Sequence, residues 1–157
     1  MRNYVHRDIK PENFMVGYDK QVYLIDFGLA QCFRDHDTQM HLPLTTGHHL
    51  VGTVRYTSIN SHLGIQQARR DDLESLGYTL LYLLHGKLPW QGISNRNCSR
   101  HLAAVLRKKK DLCNGSCDSV TVSSPLVKFI QYAHSLAFED RPDYNYLHSL
   151  LGKLYLN

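Results

Sequence analysis

The chain has 157 residues, a formal net charge of +4, 43% hydrophobic and 20% charged residues, and four cysteines. That length and balance suit one globular domain with a real core, and no apolar run approaches a membrane span, so no membrane partner is expected. The start, Met1-Arg2-Asn3-Tyr4, has no signal-peptide character, and there is no internal repeat or low-complexity tract. The small positive charge is compatible with acidic or phosphorylated partners and equally with a merely solvated surface. Cys32, Cys98, Cys113 and Cys117 are scattered. The Cys113/Cys117 pair lacks a second pair at zinc-finger spacing, so free thiols are expected.

Near the start stands His6-Arg7-Asp8-Ile9-Lys10-Pro11-Glu12-Asn13, and further on Asp26-Phe27-Gly28. Between them, Phe14-Met15-Val16 and Val22-Tyr23-Leu24-Ile25 read as strands around a Gly17-Tyr18-Asp19 turn. A hairpin there would bring Asn13 and Asp26 to the same end, where two oxygen ligands can share one magnesium ion. The spacing is that of a protein-kinase catalytic loop and the metal-binding triplet that follows it. In that chemistry Asp8 orients a substrate hydroxyl and accepts its proton, and Lys10 neutralises the moving phosphate. Asn13 and Asp26 hold the metal, and Phe27 packs beneath Asp26. A lone His-Arg-Asp would as readily be a polar turn. Two ordered motifs joined by a hairpin argue for chemistry.

Residues 29–61 carry Pro43, Thr45-Thr46, Gly47 and Gly52 and read as a long loop. Residues 69–84 form a predicted helix whose leucines at 73, 76, 80, 81, 83 and 84 cover more than one face. Such a helix is expected to be buried, with Gly77 allowing close packing and His85-Gly86 ending it. A second helix, 100–112, points Leu102, Val105 and Leu106 inward. Its Arg107-Lys108-Lys109-Lys110 run is read as a solvated helix end rather than a nucleic-acid contact. Residues 114–124 are expected to be an exposed loop. Helices then cover 125–137 and 144–154, with Val127, Ile130, Leu147 and Leu150 among their inward positions.

The run from about Tyr4 to Leu154 resembles the casein kinase I family. The resemblance is carried by the two motifs above, Gly52-Thr53-Val54-Arg55-Tyr56, His62-Leu63-Gly64-Ile65, Arg69 to Tyr78, Leu88-Pro89-Trp90-Gln91-Gly92 and Pro142-Asp143-Tyr144. Ser58-Ile59-Asn60 stands where most kinases carry Ala-Pro-Glu, a substitution typical of that family. The resemblance implies a Ser/Thr protein kinase using ATP and Mg2+, in the cytoplasm or nucleus, with acidic or phospho-primed protein substrates and no nucleic acid. It places Met15 beside Asn13 and Asp26 among the cofactor-binding residues. His6, Arg7, Phe27, Gly28 and Asp72 are placed as structural support, Asp72 bracing the catalytic loop. Arg55, His48, Gln91 and Gly92 are the implied substrate-anion residues, with His48 where the family commonly has a lysine. Arg141 matches a structural arginine whose usual glutamate partner Asn60 replaces, so a changed contact is expected.

The implied fold is mainly α with a small β-hairpin: a protein-kinase-like large C-terminal lobe, residues 1–157, without the N-terminal lobe. The Gly-rich strands, strand lysine and helix glutamate of a complete kinase would precede Met1. Two readings follow. The chain is part of a Ser/Thr kinase, or it is a non-catalytic lobe that binds substrates or a partner.

Overall fold

The computed structural model describes residues 3–94, 97–116 and 124–155, so Cys117 and most of the predicted 114–124 loop lie outside the described residues. β1 (Tyr4–Val5), β2 (Phe14–Val16), β3 (Val22–Leu24) and β4 (Gln31–Cys32) form two antiparallel ladders, β1 with β4 and β2 with β3. The second is the expected hairpin, pairing Phe14 with Leu24, Met15 with Tyr23 and Val16 with Val22. The Ile25 amide donates to the Asn13 carbonyl at 2.9 Å. That bond extends the ladder one step and leaves Asn13 and Asp26 at one end of it.

The rest is helical: α1 (Ile59–His62), α2 (Arg69–His85), α3 (Cys98–Cys113), α4 (Pro125–Ser135) and α5 (Tyr144–Tyr155). The sequence places all of these but the short α1, which lies inside the predicted long loop. Ser58 caps α1 through its side chain, and Asn97 and Ser124 cap α3 and α4 in the same way. The main core gathers Tyr56, Tyr78, Leu81, Trp90, Val105, Leu112, Leu126 and Ile130 around α2. Phe129, Leu147 and Leu150 form a second cluster between α4 and α5. No helix among the described residues is long and apolar enough to cross a membrane.

Two expectations need correction. Only part of the leucine set of α2 is buried: Leu81 is buried with Asp71, Glu74, Ser75, Gly77, Tyr78 and Thr79, and Leu73, Leu76 and Leu80 pack partly buried against the core clusters, while Leu83 and Leu84 are 61% and 60% exposed. The acids can be buried because each accepts hydrogen bonds from neighbouring donors, with His134 Nδ1 also 3.3 Å from Glu74 Oε2. Asp71 accepts from the Ser58 hydroxyl, the Asn60 amide group and the Ala68 backbone. Glu74 accepts from the Ile59 backbone and the Tyr78 hydroxyl. The second correction concerns Lys109, which is fully buried on α3 between Val105 and Leu112 instead of lying at a solvated end. The sequence reading grouped it with its charged neighbours and missed the i, i+4, i+7 spacing that aligns it with the core.

Gly77 faces α4 at very short range. A Cβ there would sit 2.4 Å from Ile130 Cγ1 and 3.3 Å from Phe129 Cδ1, so α2 and α4 approach as no side chain at 77 would allow. Gly77→Ala is therefore expected to destabilise the chain by about 1–3 kcal/mol through overpacking, despite the better helix propensity of alanine. Urea unfolding checks this: the midpoint should fall with an unchanged slope.

Candidate active site

The loop 6–13 is held from behind by the first turn of α2. The backbone amides of His6 and Arg7 donate to Asp72 Oδ2 at 2.6 Å and Oδ1 at 2.9 Å. Arg7 has φ 67°, a left-handed conformation that costs energy for a residue with a side chain. Two charge-assisted hydrogen bonds to the loop are strong enough to offset that strain, at about 1.5–3 kcal/mol each. The Arg7 side chain runs the other way, donating to the Leu29 carbonyl at 2.6 Å and to Gln31 Oε1 at 2.7 Å. It thereby ties the loop to the segment that follows the second motif. His6 is buried with Nε2 2.9 Å from the Ile25 carbonyl oxygen.

The Asp8 carboxylate is the most heavily engaged group of the loop. Lys10 Nζ donates to Oδ2 at 2.6 Å, and the Thr53 amide and hydroxyl donate to Oδ1 at 2.9 Å and 2.8 Å. Lys10 Nζ also reaches Thr53 Oγ1 at 3.3 Å. Burial pushes the Asp8 carboxyl up, but the hydrogen bonds from Lys10 and Thr53 outweigh it and hold the group below the ordinary carboxylate range. The bond to Asp8 raises Lys10, against a smaller loss from burial. Asp8 is thus an ionised acceptor beside a fixed cation. Gly52 makes the contact with Thr53 possible: its φ is 93°, and a Cβ there would lie 2.4 Å from the Arg7 carbonyl oxygen.

Asn13 is buried and donates Nδ2 to the Asp8 carbonyl at 2.9 Å. This orients the carboxamide and leaves its Oδ1 outside that bond. Asp26 is exposed, with φ 62°, and its Oδ1 accepts from the Gly28 amide at 3.3 Å. A neutral amide oxygen and a carboxylate at one end of the hairpin make a hard-oxygen donor set, which fits magnesium and does not suit a softer metal. Phe27 corrects an expectation. It is 61% exposed instead of being covered, and meets the His6 ring edge-on at 5.1 Å between centroids. Met15 on β2 is also mostly exposed.

A family model described as "Protein kinase domain" matches residues 1–152. The chain belongs to the protein kinase family. That family generally uses ATP and magnesium.

The kinase carries a groove of about 570 Å³ beside the catalytic loop, lined by Thr53, Arg55, Tyr56, Gln91, Gly92 and His101 among others. Three of the four expected anion residues therefore meet there. The Arg55 guanidinium carbon lies 5.9 Å and 6.0 Å from the Tyr56 and Tyr82 ring centroids; Glu12 lines the same groove, without an ion pair to Arg55 among the described residues. Gln91 is partly committed: its Oε1 accepts the Leu88 amide at 2.6 Å. His48 corrects the grouping. It belongs to a separate cleft of about 40 Å³ with Arg7, Gln31 and His49, where its Nε2 is 2.7 Å from Thr45 Oγ1. The resemblance grouped His48 with Arg55 through the position of a family lysine, and the structure places the two in different clefts. Sequence reasoning missed Thr53, whose only signal was its place after Gly52, and His101, a lone helical histidine that carried none. Arg141 is exposed, and Asn60 bonds to Asp71.

Burial pushes the Asp72 carboxyl up to about 6, against the two backbone hydrogen bonds, which favour its ionised form. The folded chain therefore keeps this proton over a range where the unfolded chain, near 3.8, has released it. Stability from this group is full below the unfolded value and lost as pH rises to about 6. Urea unfolding at pH 4, 5, 6 and 7 should show the wild type losing stability relative to Asp72→Asn across that window, and no further change above it. A loss that continues unchanged above pH 6 would assign the titration elsewhere.

Proposed function

We propose that this chain is the catalytic-loop lobe of a Ser/Thr protein kinase of casein kinase I type, acting on acidic or phospho-primed protein substrates. One observation carries the reading: Thr53 bonds the Asp8 carboxylate through both its amide and its hydroxyl while lining the Arg55 groove. A peptide lying along that groove would bring its hydroxyl to Asp8 and its anionic side chain to Arg55.

Magnesium-ATP, when bound, supplies the transferable phosphate; Asn13 and Asp26 would hold the metal, and exposed Met15 offers an apolar surface to the adenine. Asp8 orients the substrate hydroxyl and accepts its proton as the oxygen attacks. Lys10 keeps a positive charge beside that reaction, its Nζ already 2.6 Å from Asp8. The exposed Met15, Val16, Tyr23 and Phe27, with Leu83 and Leu84 elsewhere, support the further reading that other protein mass completes the nucleotide site.

Joining the chain to the small lobe of a casein kinase I relative tests the roles. The hybrid should phosphorylate Ser or Thr. Asp8→Asn should lower turnover at least 100-fold with ATP affinity nearly intact, as expected for a proton acceptor. Asp26→Asn should weaken magnesium-dependent nucleotide binding as well, measured by calorimetry. Equal loss of ATP binding in both variants would contradict the assignment.

The same hybrid reports on the groove. A phosphoserine-primed peptide should be used at least 10-fold better than its unphosphorylated twin, and Arg55→Ala should remove most of that difference, since paired charge-assisted bonds to phosphate are lost. If Arg55→Ala slows both peptides equally, Arg55 is a brace and not an anion contact.

A further inference from the structure

Lys109 lies in the wall behind the Arg55 groove, and its surroundings differ from those of the cations beside it in sequence. It is fully buried. Its Nζ donates to the Val54 carbonyl at 2.9 Å and to the Thr57 carbonyl, and lies 3.2 Å from His62 Nε2. The same ammonium stands over the Tyr78 and Trp90 rings, 5.0 Å and 5.3 Å from their centroids. Trp90 Nε1 in turn donates to the Arg55 carbonyl at 2.8 Å. Thus the carbonyls of residues 54, 55 and 57 all bond inward to the α3–Trp90 wall, and the Arg55 side chain is left exposed on the groove side.

A buried ammonium is costly, and a hydrocarbon of similar shape would commonly serve a core better. What a hydrocarbon cannot do is bond two carbonyls and an imidazole at once. The local chemistry agrees with this use. Burial and the Lys109 charge push His62 down to about 3, so it is the neutral acceptor the contact requires. Burial likewise pushes Lys109 down to about 7, opposed by Glu74 and Cys113.

We propose that Lys109 is a positioning residue for the groove: by holding the backbone of residues 54–57 from inside, it aims Arg55 at an anionic group of the peptide. It thereby sets the preference for phosphorylated over plain peptides. The proposal rests on the groove being a peptide-anion site.

The test uses the full chain, a phosphoserine peptide and its unphosphorylated twin, with affinity and amide hydrogen exchange as readouts. The Thr53, Tyr56 and Thr57 amides are bonded within this region and report on its order. Lys109→Met should speed their exchange at least 10-fold and weaken the phosphopeptide at least 5-fold, while the twin and the amides of α2 and α4 stay unchanged. Leu112→Ala, on the same buried face of α3 but outside the groove lining, should loosen packing without that selective loss. If Lys109→Met does not fold, Lys109→Gln replaces it and should give the same two effects. Unchanged exchange and affinity, or an equal selective loss in Leu112→Ala, overturns the proposal. A wild-type chain that binds both peptides alike overturns the anion reading of the groove, and the exchange of the Thr53, Tyr56 and Thr57 amides then still decides whether Lys109 positions this segment.

Discussion

Three carboxylates in the first two turns of α2 hold the functional loops in place. Asp72 receives the His6 and Arg7 amides, Asp71 receives Ser58, Asn60 and Ala68, and Glu74 receives Ile59 and Tyr78. Each therefore anchors to α2 a stretch that precedes it, either the loop 6–13 or the residues around the short α1. The arrangement exploits the helix N-terminus, where negative charge is favoured, and it fills lone pairs that burial would otherwise leave unsatisfied. Burial raises both Asp71 and Asp72 above the ordinary carboxylate range. Loop order is thus obtained by keeping acids where water would stabilise them better.

The anchors allow strain to persist where chemistry needs it. Arg7 and Asp26, one from each motif, both have positive φ without being glycine. Local preference would relax such residues, so the surrounding bonds must over-determine them. Asp72 does so for Arg7. For Asp26 the hairpin does so, through the Ile25 amide bonded to Asn13. The Asp8–Thr53 contact then joins the loop 6–13 to the groove that Thr53 lines. Gly52 is the residue that lets the two backbones come that close.

Much of the fold was legible because its signals are local. The hairpin is written as two short apolar runs around a turn, and four helices are marked by spacing, capping residues and Gly86. The reading failed where burial follows from partners distant in sequence. Leu83 and Leu84 look like core residues and are exposed, while Asp71 and Glu74 look like surface residues and are buried. Periodicity counts apolar residues; it cannot register that Ser58, Ile59 and Tyr78 will arrive to satisfy an acid.

The sequence by itself determined the family: His6 to Asn13 and Asp26 to Gly28 carry it through residue type and spacing, which survive without coordinates. It also determined that Gly77 permits close packing, because only the absence of a side chain does so. Tertiary structure alone decided which residues share a groove. It separated His48 from Arg55, brought His101 and Thr53 in, and turned Lys109 from a helix-end cation into a buried donor. The physical reason is common to all four. Their functions depend on which backbone carbonyls, rings and carboxylates lie within about 3–6 Å, the range of hydrogen bonds and ring contacts, and those neighbours come from segments tens of residues away along the chain.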